Sequence, residues 1–390
     1  MVITASNAQS VLPLFASIQD LPEQQGLVYY RNVVSMTDRN NVAKGDTLVD
    51  GMAGRQKIGA QFAGEEIYLE DSGQAGDGTE THFVFTAKYP PVLLRSVTIT
   101  IDGSTVKGVD DGEGNIIGLG VSVGTIDYEN GSVDITFTDA PADGAKIFVS
   151  YASDFEKVLE IPTINTEYQS LMVKAKSYAL RGVGSLFKEY AISKRFGIDA
   201  QEMLAKDLVQ ELTTEVSNGA IMEAYLNAKG STDWDKTAPA GVSYTEHKTT
   251  FFDALATAES TILTNSGRFN GNSVLIAGTG AASIVRTLPG FKVADVQNAV
   301  LGTHLFGYLD GKPVIRSLSM PADEILLIAK GAANAYDSAL VHGVYLPLYV
   351  SSTYQGVDHN PLTNQSMVAN QSVTKAVVSN YITKIKIIAS

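Results

Sequence analysis

Hydrophobic spacing along this 390-residue chain changes character at two places. In residues 1–60, a short apolar stretch at Val11–Ile18 predicts a helix, and a β-rich run at Gly26–Val34 predicts a strand. The segment 40–59 is polar and rich in glycine, which predicts an extended arm or loop. The first 60 residues therefore show a mixed pattern.

Residues 78–155 are predicted to form an all-β unit. The runs SVTITI and SVDITFT alternate apolar and polar residues with the period of two that is typical of half-buried strands. The pairs Asp102-Gly103 and Asn130-Gly131 predict two-residue hairpin turns, because glycine accepts a positive φ. Short strands at this spacing are typical of a small sandwich or barrel. The predicted strands are His82–Ala87, Ser96–Ile101, Thr125–Tyr128, Ser132–Thr138 and Ala145–Tyr151.

The period changes to about four residues after position 199. An apolar stripe repeats along this segment, and Asp199 with Glu202 has the spacing of a capping box. The pattern predicts a helix over 199–229, roughly 45 Å long at 1.5 Å per residue. A helix of this length suits a strut that packs on an α/β body through its stripe, which consists of Leu204, Leu208, Leu212 and Val216.

An α/β pattern follows the long helix. Residues 230–246 are predicted to form a loop, and Thr249–Asn265 a second amphipathic helix. The remaining predicted elements are a strand at Asn272–Ala277, a helix at Ala281–Leu288, strands at Leu305–Leu309 and Pro313–Ser317 around an Asp310-Gly311 turn, a strand at Glu324–Ala329, an apolar run at Gly343–Ser351 and a closing strand at Lys375–Ile388.

Charge is unevenly distributed along the chain. There are 42 acidic and 29 basic residues, a net charge of −13, and residues 61–160 hold 18 of the acidic and 5 of the basic ones. The whole excess therefore lies in the segment that contains the predicted β unit. Because an acidic surface repels phosphate, this segment is not expected to bind nucleic acid.

Composition excludes several classes of protein. Cysteine is absent, which excludes disulfides and thiolate metal sites, and the five histidines lie at no metal-binding spacing. No run of 18 apolar residues predicts a transmembrane helix, and the first residues lack the basic region of a signal peptide. We expect a soluble protein, intracellular or carried in a particle, with no catalytic, cofactor-binding or metal-binding residues.

Two short motifs resemble ligand sites in part. Gly278-Thr279-Gly280 follows a predicted strand like a dinucleotide-binding turn, but Ser283 replaces the third glycine, so a tight strand–helix connection is favoured. A second motif has the alternating oxygen ligands of a calcium loop in an order that departs from the EF-hand, so a hairpin tip is favoured. Its residues are Asp110, Asp111, Glu113 and Asn115.

Three aromatic residues, each outside any motif, are considered for a functional role. His82 and His342 lie in apolar strands, where neither is placed like a member of a catalytic triad. Trp234 is either an anchor for a partner or a side chain packed on its own domain. Nothing in the sequence favours an enzyme.

The order of elements resembles that of tailed-phage major capsid proteins with the Hong Kong 97 fold. Residues 187–228 carry most of the resemblance, since they look like the segment that leads into the spine helix in the myovirus branch of this family. Asn272–Phe291 and the strands to Ser317 look like the family's axial domain. The runs 343–350 and 362–388 look like the return to its peripheral domain, and Val11–Val33 looks like its N-terminal arm.

The resemblance implies an α+β fold of the Hong Kong 97 type, with an all-β domain inserted where the family has its extended loop. The implied organisation is an N-terminal arm and the start of the peripheral region in 1–60, an extended loop in 61–165 with the insertion at about 78–155, a peripheral domain with the spine helix in 166–248 and 355–390, and an axial α/β domain in 249–354.

The function implied is that of a major capsid protein. Such a chain would assemble into the hexamers and pentamers of an icosahedral shell, with residues 40–75 on neighbouring subunits, and would enclose double-stranded DNA without reading its sequence. Implied partners are portal, scaffold and decoration proteins, without a membrane or a cofactor. The protein would assemble in the host cytoplasm and reside in the virion.

Two alternatives remain open from the sequence. One is a cellular shell protein of the encapsulin type, which shares the fold but encloses enzyme cargo. The other is an adhesin or surface-layer protein that uses the β unit to bind glycans or calcium.

Overall fold

The computed structural model describes residues 11–52, 55–57, 59–103, 105–157, 161–267, 271–294, 302–330, 338–355 and 362–389. The fold is α+β, as predicted, and the chain divides into two units. The first unit comprises the residues up to Asn32, Val49–Gln56 and Tyr168 onward, and the second comprises Val33–Leu48 and Lys57–Glu167. Each unit has its own hydrophobic core.

The helices that the structure describes are α1 (Leu12–Phe15), α2 (Leu186–Phe196), α3 (Ala200–Asn227), α4 (Tyr244–Thr249), α5 (Phe251–Ser266) and α6 (Thr279–Arg286), together with a 3₁₀ turn at Ser379–Tyr381. The strands are β1 (Ser17–Asp20), β2 (Gln25–Ser35), β3 (Thr47–Asp50), β4 (Arg55–Gln56), β5 (Glu66–Ala75), β6 (His82–Thr86), β7 (Thr98–Ile101), β8 (Thr105–Asp110), β9 (Ile116–Ile117), β10 (Val121–Asp127), β11 (Ser132–Phe137), β12 (Lys146–Ala152), β13 (Ile164–Lys174), β14 (Lys176–Ser185), β15 (Gly230–Asp235), β16 (Ser273–Ala277), β17 (Phe291–Val293), β18 (His304–Leu309), β19 (Lys312–Arg316), β20 (Glu324–Ala329), β21 (Leu340–Val350), β22 (Tyr354–Gln355), β23 (Thr363–Ala376) and β24 (Ile382–Ile388).

A seven-stranded mixed sheet forms the centre of the first unit, in the order β15-β24-β20-β16-β19-β18-β17. Strand β16 is buried at every position, as its continuous apolar sequence predicts for a central strand. Strands β18 and β19 are joined by Asp310 and Gly311, both with positive φ, in the predicted two-residue turn. Helix α5 packs on β15 and β24 and covers part of the sheet.

The prediction of a loop over 230–246 is wrong at its start. Residues Gly230–Asp235 form a strand that pairs in parallel with Ile382–Ile388. The sequence GSTDWD shows no alternation of apolar and polar residues because the strand lies at the edge of the sheet and buries only Gly230 and Trp234. Strands β15 and β24 thus belong to the same sheet as β16 and β20. The division implied by the resemblance instead assigns β15 and β24 to the peripheral domain, and β16 and β20 to the axial domain at 249–354.

A second sheet of the first unit has the order β1-β21-β23-β14, with β22 paired to β23. Strand β23 is 14 residues long, and the sequence pattern predicts only its end, from Lys375. The predicted closing strand is divided by the turn at Ser379–Tyr381, so that β23 and β24 belong to different sheets. In β24 the side chains of Thr383, Ile385 and Ile387 are buried, so this face of the strand lies toward the core.

The second unit contains a five-stranded sheet, β5-β12-β7-β8-β9, and a three-stranded sheet, β10-β11-β6. Its core side chains come from both sheets and include the fully buried Ile99, Ile135 and Ile147. Strand β5 precedes the predicted interval 78–155, yet it pairs with β12 along most of its length. The sequence EIYLEDSGQA conceals this strand because one of its ten side chains, Ile67, is buried.

The hairpins of the second unit lie where the sequence predicts them, but their loops are longer than two residues. Ile101 faces Thr105 across a three-residue loop, and Asp127 faces Ser132 across a four-residue loop. In the longer loop, the Asp127 carboxylate accepts backbone N–H bonds from Glu129 and Asn130, at 3.0 and 3.4 Å. This side-chain cap stabilises a wider loop than the Asn-Gly pair alone predicts.

Candidate assembly surface

Helix α3 begins at a well-defined cap. The Asp199 carboxylate accepts hydrogen bonds from the backbone N–H groups of Gln201 and Glu202, at 2.9 and 3.2 Å. The second half of the predicted capping box does not form, because the Glu202 carboxylate pairs with Lys206 one turn later, at 2.7 Å. The aspartate cap alone therefore determines where the long helix starts.

The apolar stripe of α3 packs in two different environments. Leu212 and Val216 are buried in the core of the first unit, with 2% and 8% of their surface exposed. Leu204 and Leu208 are half-buried and lie against Gly182 of β14. A Cβ at position 182 would lie 2.9 Å from a methyl group of Leu208 and 3.0 Å from Leu204, so the glycine permits this close approach. The predicted stripe thus packs along its whole length.

The C-terminal half of α3 is attached to strands of both sheets of its unit. Lys375 of β23 forms an ion pair with Glu223 at 2.9 Å. The Lys384 ammonium of β24 lies 3.7 Å from the centroid of the Tyr225 ring, a cation–π contact. The long helix therefore connects the two sheets.

A half-buried carboxylate holds α2 in place. Glu189 of α2 accepts hydrogen bonds from Gln201 of α3, at 3.1 Å, and from the buried Asn364 of β23, at 2.6 Å. Hydrogen bonds to a charged acceptor are stronger than neutral ones. Glu189 thus ties α2 to α3 and β23, although no residue of α2 is fully buried.

Helix α2 also exposes large apolar side chains. Phe187, Tyr190 and Phe196 have 67%, 65% and 64% of their surface exposed. Exposed apolar patches of this kind mark surfaces that other proteins cover. At 3.6 residues per turn, Leu186, Phe187 and Tyr190 lie within about 100° of one another around the helix, and we call these three residues the α2 face.

Strand β13 is exposed on both of its sides. Its first seven residues are all exposed, and Tyr168 and Met172 expose 69% and 70% of their surface. Within the first unit, Gln169 accepts a hydrogen bond from the Tyr30 hydroxyl at 2.7 Å, which ties β13 to β2. The apolar side chains of such a strand are removed from water only when another protein segment packs on them.

The glycine motif at 278–280 serves close packing within the chain. A Cβ at Gly278 would lie 1.9 Å from the Pro321 carbonyl oxygen, and one at Gly280 would lie 2.6 Å from a carboxylate oxygen of Asp323. The backbone N–H of Ala281, at the start of α6, donates to the Ala322 carbonyl oxygen at 2.8 Å. The loop at 321–323 therefore occupies the space in which a phosphate would bind.

The candidate calcium motif is a hairpin tip whose carboxylates bind the chain itself. Asp110 accepts hydrogen bonds from the backbone N–H groups of Arg95 and Gly112 and from the Tyr128 hydroxyl, at 2.6 to 2.8 Å. Asp111 accepts from the backbone of Glu113 and from Asn115. In the part of the chain that the structure describes, no three acidic or histidine side chains are grouped to hold a metal ion.

Trp234 packs on its own unit, which resolves the alternative left open by the sequence. Its indole N–H donates to the Thr250 hydroxyl at 3.0 Å, and its ring stacks on His247 and meets Phe251 edge-on. Only 5% of its surface is exposed. Trp234 is therefore a core residue of the first unit rather than an anchor for a partner.

The two single histidines have different surroundings. His82 lies on the surface of the second unit, where it contacts Asp134 at 2.8 Å. His342 is buried in β21, and its Nδ1 contacts the Thr374 hydroxyl at 2.8 Å. Burial lowers the pKa of His342 to about 4, because the charged imidazolium would lose its hydration.

Among the described residues, we find no helix with the length and apolar character that a membrane span requires.

The model of the family described as Major capsid protein Gp23 matches residues 1–384. The chain belongs to the Gp23 major capsid protein family. The prediction of a tailed-phage major capsid protein is thereby confirmed, and this family is structural rather than enzymatic.

Several solved structures contain chains that are similar to this one at low sequence identity. The capsid of the jumbo bacteriophage PhiKZ is 8% identical, over 97% of this chain and 92% of that chain, with a TM-score of 0.47. A chain of Mycobacterium phage Che8 is 13% identical, over 60% and 79%, with a TM-score of 0.37. The virus-like particle from Pyrococcus furiosus is 11% identical, over 56% and 79%, with a TM-score of 0.36. No curated protein matches this capsid protein in sequence.

The exposed faces of α2 and β13 in this capsid protein are missed by sequence reasoning. In the sequence FKEYAISKRF, apolar residues recur at three- and four-residue intervals, and a buried helix face has the same spacing. Periodicity shows that a face is apolar but not what covers it. The expectation that residues 40–75 contact neighbouring subunits stays a prediction.

Replacing Leu212 by alanine should destabilise this capsid protein by about 2–5 kcal/mol, because it leaves a cavity in the core beneath α3. Leu226→Ala on the same helix is the matched control, since Leu226 has 71% of its surface exposed and its truncation should cost less than about 0.5 kcal/mol. Denaturant unfolding of both variants measures the difference. Equal losses of unfolding free energy would contradict the packing described for α3.

Acid should destabilise the first unit through His342. Its pKa is depressed in the folded state, so the unfolded chain takes up a proton first as the pH falls below about 6.5. The stability present above that pH is lost progressively down to about pH 4, by about 3 kcal/mol in total. We expect His342→Gln to flatten this part of the pH profile of unfolding free energy, and an unchanged slope would show that His342 does not cause it.

Proposed function

We propose that this major capsid protein forms the hexamers and pentamers of an icosahedral shell that encloses double-stranded DNA. The observation that carries the proposal is the exposed α2 face, whose aromatic residues lie on a helix that is firmly anchored through Glu189. A rigid apolar face that is open in the single chain is suited to pack against a neighbouring copy.

We also propose that the architecture is of the Hong Kong 97 type. The rigid, capped α3 is suited to the role of the spine helix, and the two sheets it connects are suited to the peripheral and axial domains. Residues 1–60 would supply the arm and 61–165 the extended loop. The exposed strand β13 would lie along an adjacent subunit in the assembled shell.

The part of the second unit between Ile67 and Tyr151 is proposed to be an insertion into the extended loop. Its separate core supports this proposal, because the side chains of that core all come from the interval between Ile67 and Tyr151. The chain also enters and leaves at adjacent positions, since Glu66 pairs with Ala152. The acidic surface of the unit suits a position in contact with solvent, where salt screens like charges beyond about 8 Å.

The proposed partners follow from the role in the particle. Portal, scaffold and decoration proteins would contact the shell, which would assemble in the host cytoplasm and remain in the virion. Outside 61–160 the chain has equal numbers of acidic and basic residues, so an inner wall built from it would not grip the packaged DNA strongly.

Removing aromatic rings from the α2 face should weaken assembly without unfolding the chain. We expect Phe187→Ser with Tyr190→Ser to raise the concentration at half-assembly at least tenfold, because a buried aromatic contact between proteins is worth about 2 kcal/mol or more. Sedimentation and negative-stain electron microscopy measure the assembled fraction. Circular dichroism should show an unchanged fold.

Tyr244→Ser is the control for this experiment, because Tyr244 is also exposed, at 47%, but lies on α4. It should leave the concentration at half-assembly within a factor of about two. If the double variant assembled like the wild type, the α2 face would not be an assembly contact. If the wild type formed no ordered assemblies, the proposed function itself would be wrong.

Deleting most of the second unit should leave the first unit folded. Residues 67–151 can be replaced by an Asn-Gly turn, because Glu66 and Ala152 are paired neighbours. The first unit should keep its thermal transition, since none of its core residues is removed, while its shells should dissociate at lower denaturant concentration. Loss of the transition would contradict the independence of the two cores.

A further inference from the structure

The second unit contains an open cleft of about 660 Å³, within the range of volumes that ligand-binding clefts occupy. Residues of this unit line it on all sides. They come from three segments, which are Met36–Arg39 with Lys44, Lys88–Pro91, and Lys157 with Pro162.

The cleft has a positive charge on an otherwise acidic unit. The second unit has 21 acidic and 8 basic residues in its sequence, but among the residues that the structure describes, four basic residues and one acidic residue, Asp38, line the cleft. The four basic residues are Arg39, Lys44, Lys88 and Lys157. This concentration of cations sets the cleft apart from the acidic surface around it.

Arg39 is the most buried of these cations, with 3% of its surface exposed. Its guanidinium donates to the carbonyl oxygens of Gly64, at 2.9 and 3.1 Å, and Glu65, at 3.3 Å, and lies 4.5 Å from the centroid of the Phe155 ring. Among the described residues, no carboxylate forms an ion pair with it. Burial lowers the pKa of Arg39, because the cation has lost water, while the nearby Glu65 carboxylate opposes this shift.

Two exposed lysines extend this charge toward the solvent. Lys44 and Lys88 form no ion pair with a described residue, whereas Lys157 pairs with Asp154 at 3.2 Å. Contact with the Tyr89 phenol raises the pKa of Lys88, so its ammonium stays charged.

The acidic groups near these lysines already accept hydrogen bonds from the chain. Glu70 accepts from the Lys88 backbone N–H at 2.8 Å and from the Tyr151 hydroxyl at 2.7 Å. Asp38 accepts from the Lys44 backbone N–H at 2.6 Å. The ammonium groups of Lys44 and Lys88 can therefore pair with an anion that enters the cleft.

We propose that the cleft binds an aspartate or glutamate carboxylate on an exposed loop of a second copy of this chain. The inference rests on the proposed shell, because the neighbour must be held beside it. A nucleic acid is disfavoured, since the acidic surface around the cleft would repel a polyanion. A second copy fits, because each second unit offers both the basic cleft and acidic loops, so that otherwise repelling units become complementary.

Zero-length crosslinking of assembled protein tests the occupant. A carbodiimide joins a lysine amine to a carboxylate that it touches, and mixing isotope-labelled with unlabelled chains distinguishes links between copies from links within one copy. We expect links between copies from Lys44 or Lys88 to an aspartate or glutamate, found by mass spectrometry of the particles. Links from these lysines to another protein of the particle, or only within one copy, would overturn the proposal.

Substitutions of the cleft lysines measure how much the proposed contact contributes to assembly. Lys44→Gln with Lys88→Gln should raise the concentration at half-assembly about tenfold and should reduce its dependence on salt. Lys107→Gln is the matched control, since Lys107 lies in the same unit outside the cleft, and it should change that concentration less than twofold. Shells of the double variant that assemble like the wild type would refute the cleft contact and leave the proposed function intact. A wild type that forms no shells would refute both.

Discussion

The architecture of the first unit depends on the packing of helix α3 across two sheets. Leu212 and Val216 bury one half of the helix in the core, while Leu204 and Leu208 rest on Gly182 of β14. The contacts of Lys375 and Lys384 attach the same helix to β23 and β24. Because these strands lie in different sheets, loss of this packing would leave the sheets without their common support.

The same helix provides the base for the surface that the protein leaves open. Gln201, near its start, and Asn364 of β23 hold the Glu189 carboxylate, so α2 is fixed by polar contacts while its aromatic side faces outward. A monomeric protein normally avoids such a patch. In the proposed shell, the exposed rings would become buried only when copies meet.

Sequence patterns predicted the elements whose burial is regular. The α3 stripe is predicted because one face of the helix is consistently apolar, and the central strand β16 because its sequence is apolar almost throughout. Strands β5 and β15 were missed, because each buries only one or two side chains. Sheet membership and the outward direction of the α2 face could not be predicted, since periodicity does not identify the element or copy that covers a face.

Electron microscopy of the purified chain at high concentration, at a resolution that separates subunits, would show whether copies assemble through the α2 face. We expect closed shells or ring-shaped capsomers in which Phe187 and Tyr190 of α2 are covered by an adjacent copy. Monomers or dimers without ordered assemblies, or shells in which the α2 face remains open to solvent, would contradict this expectation.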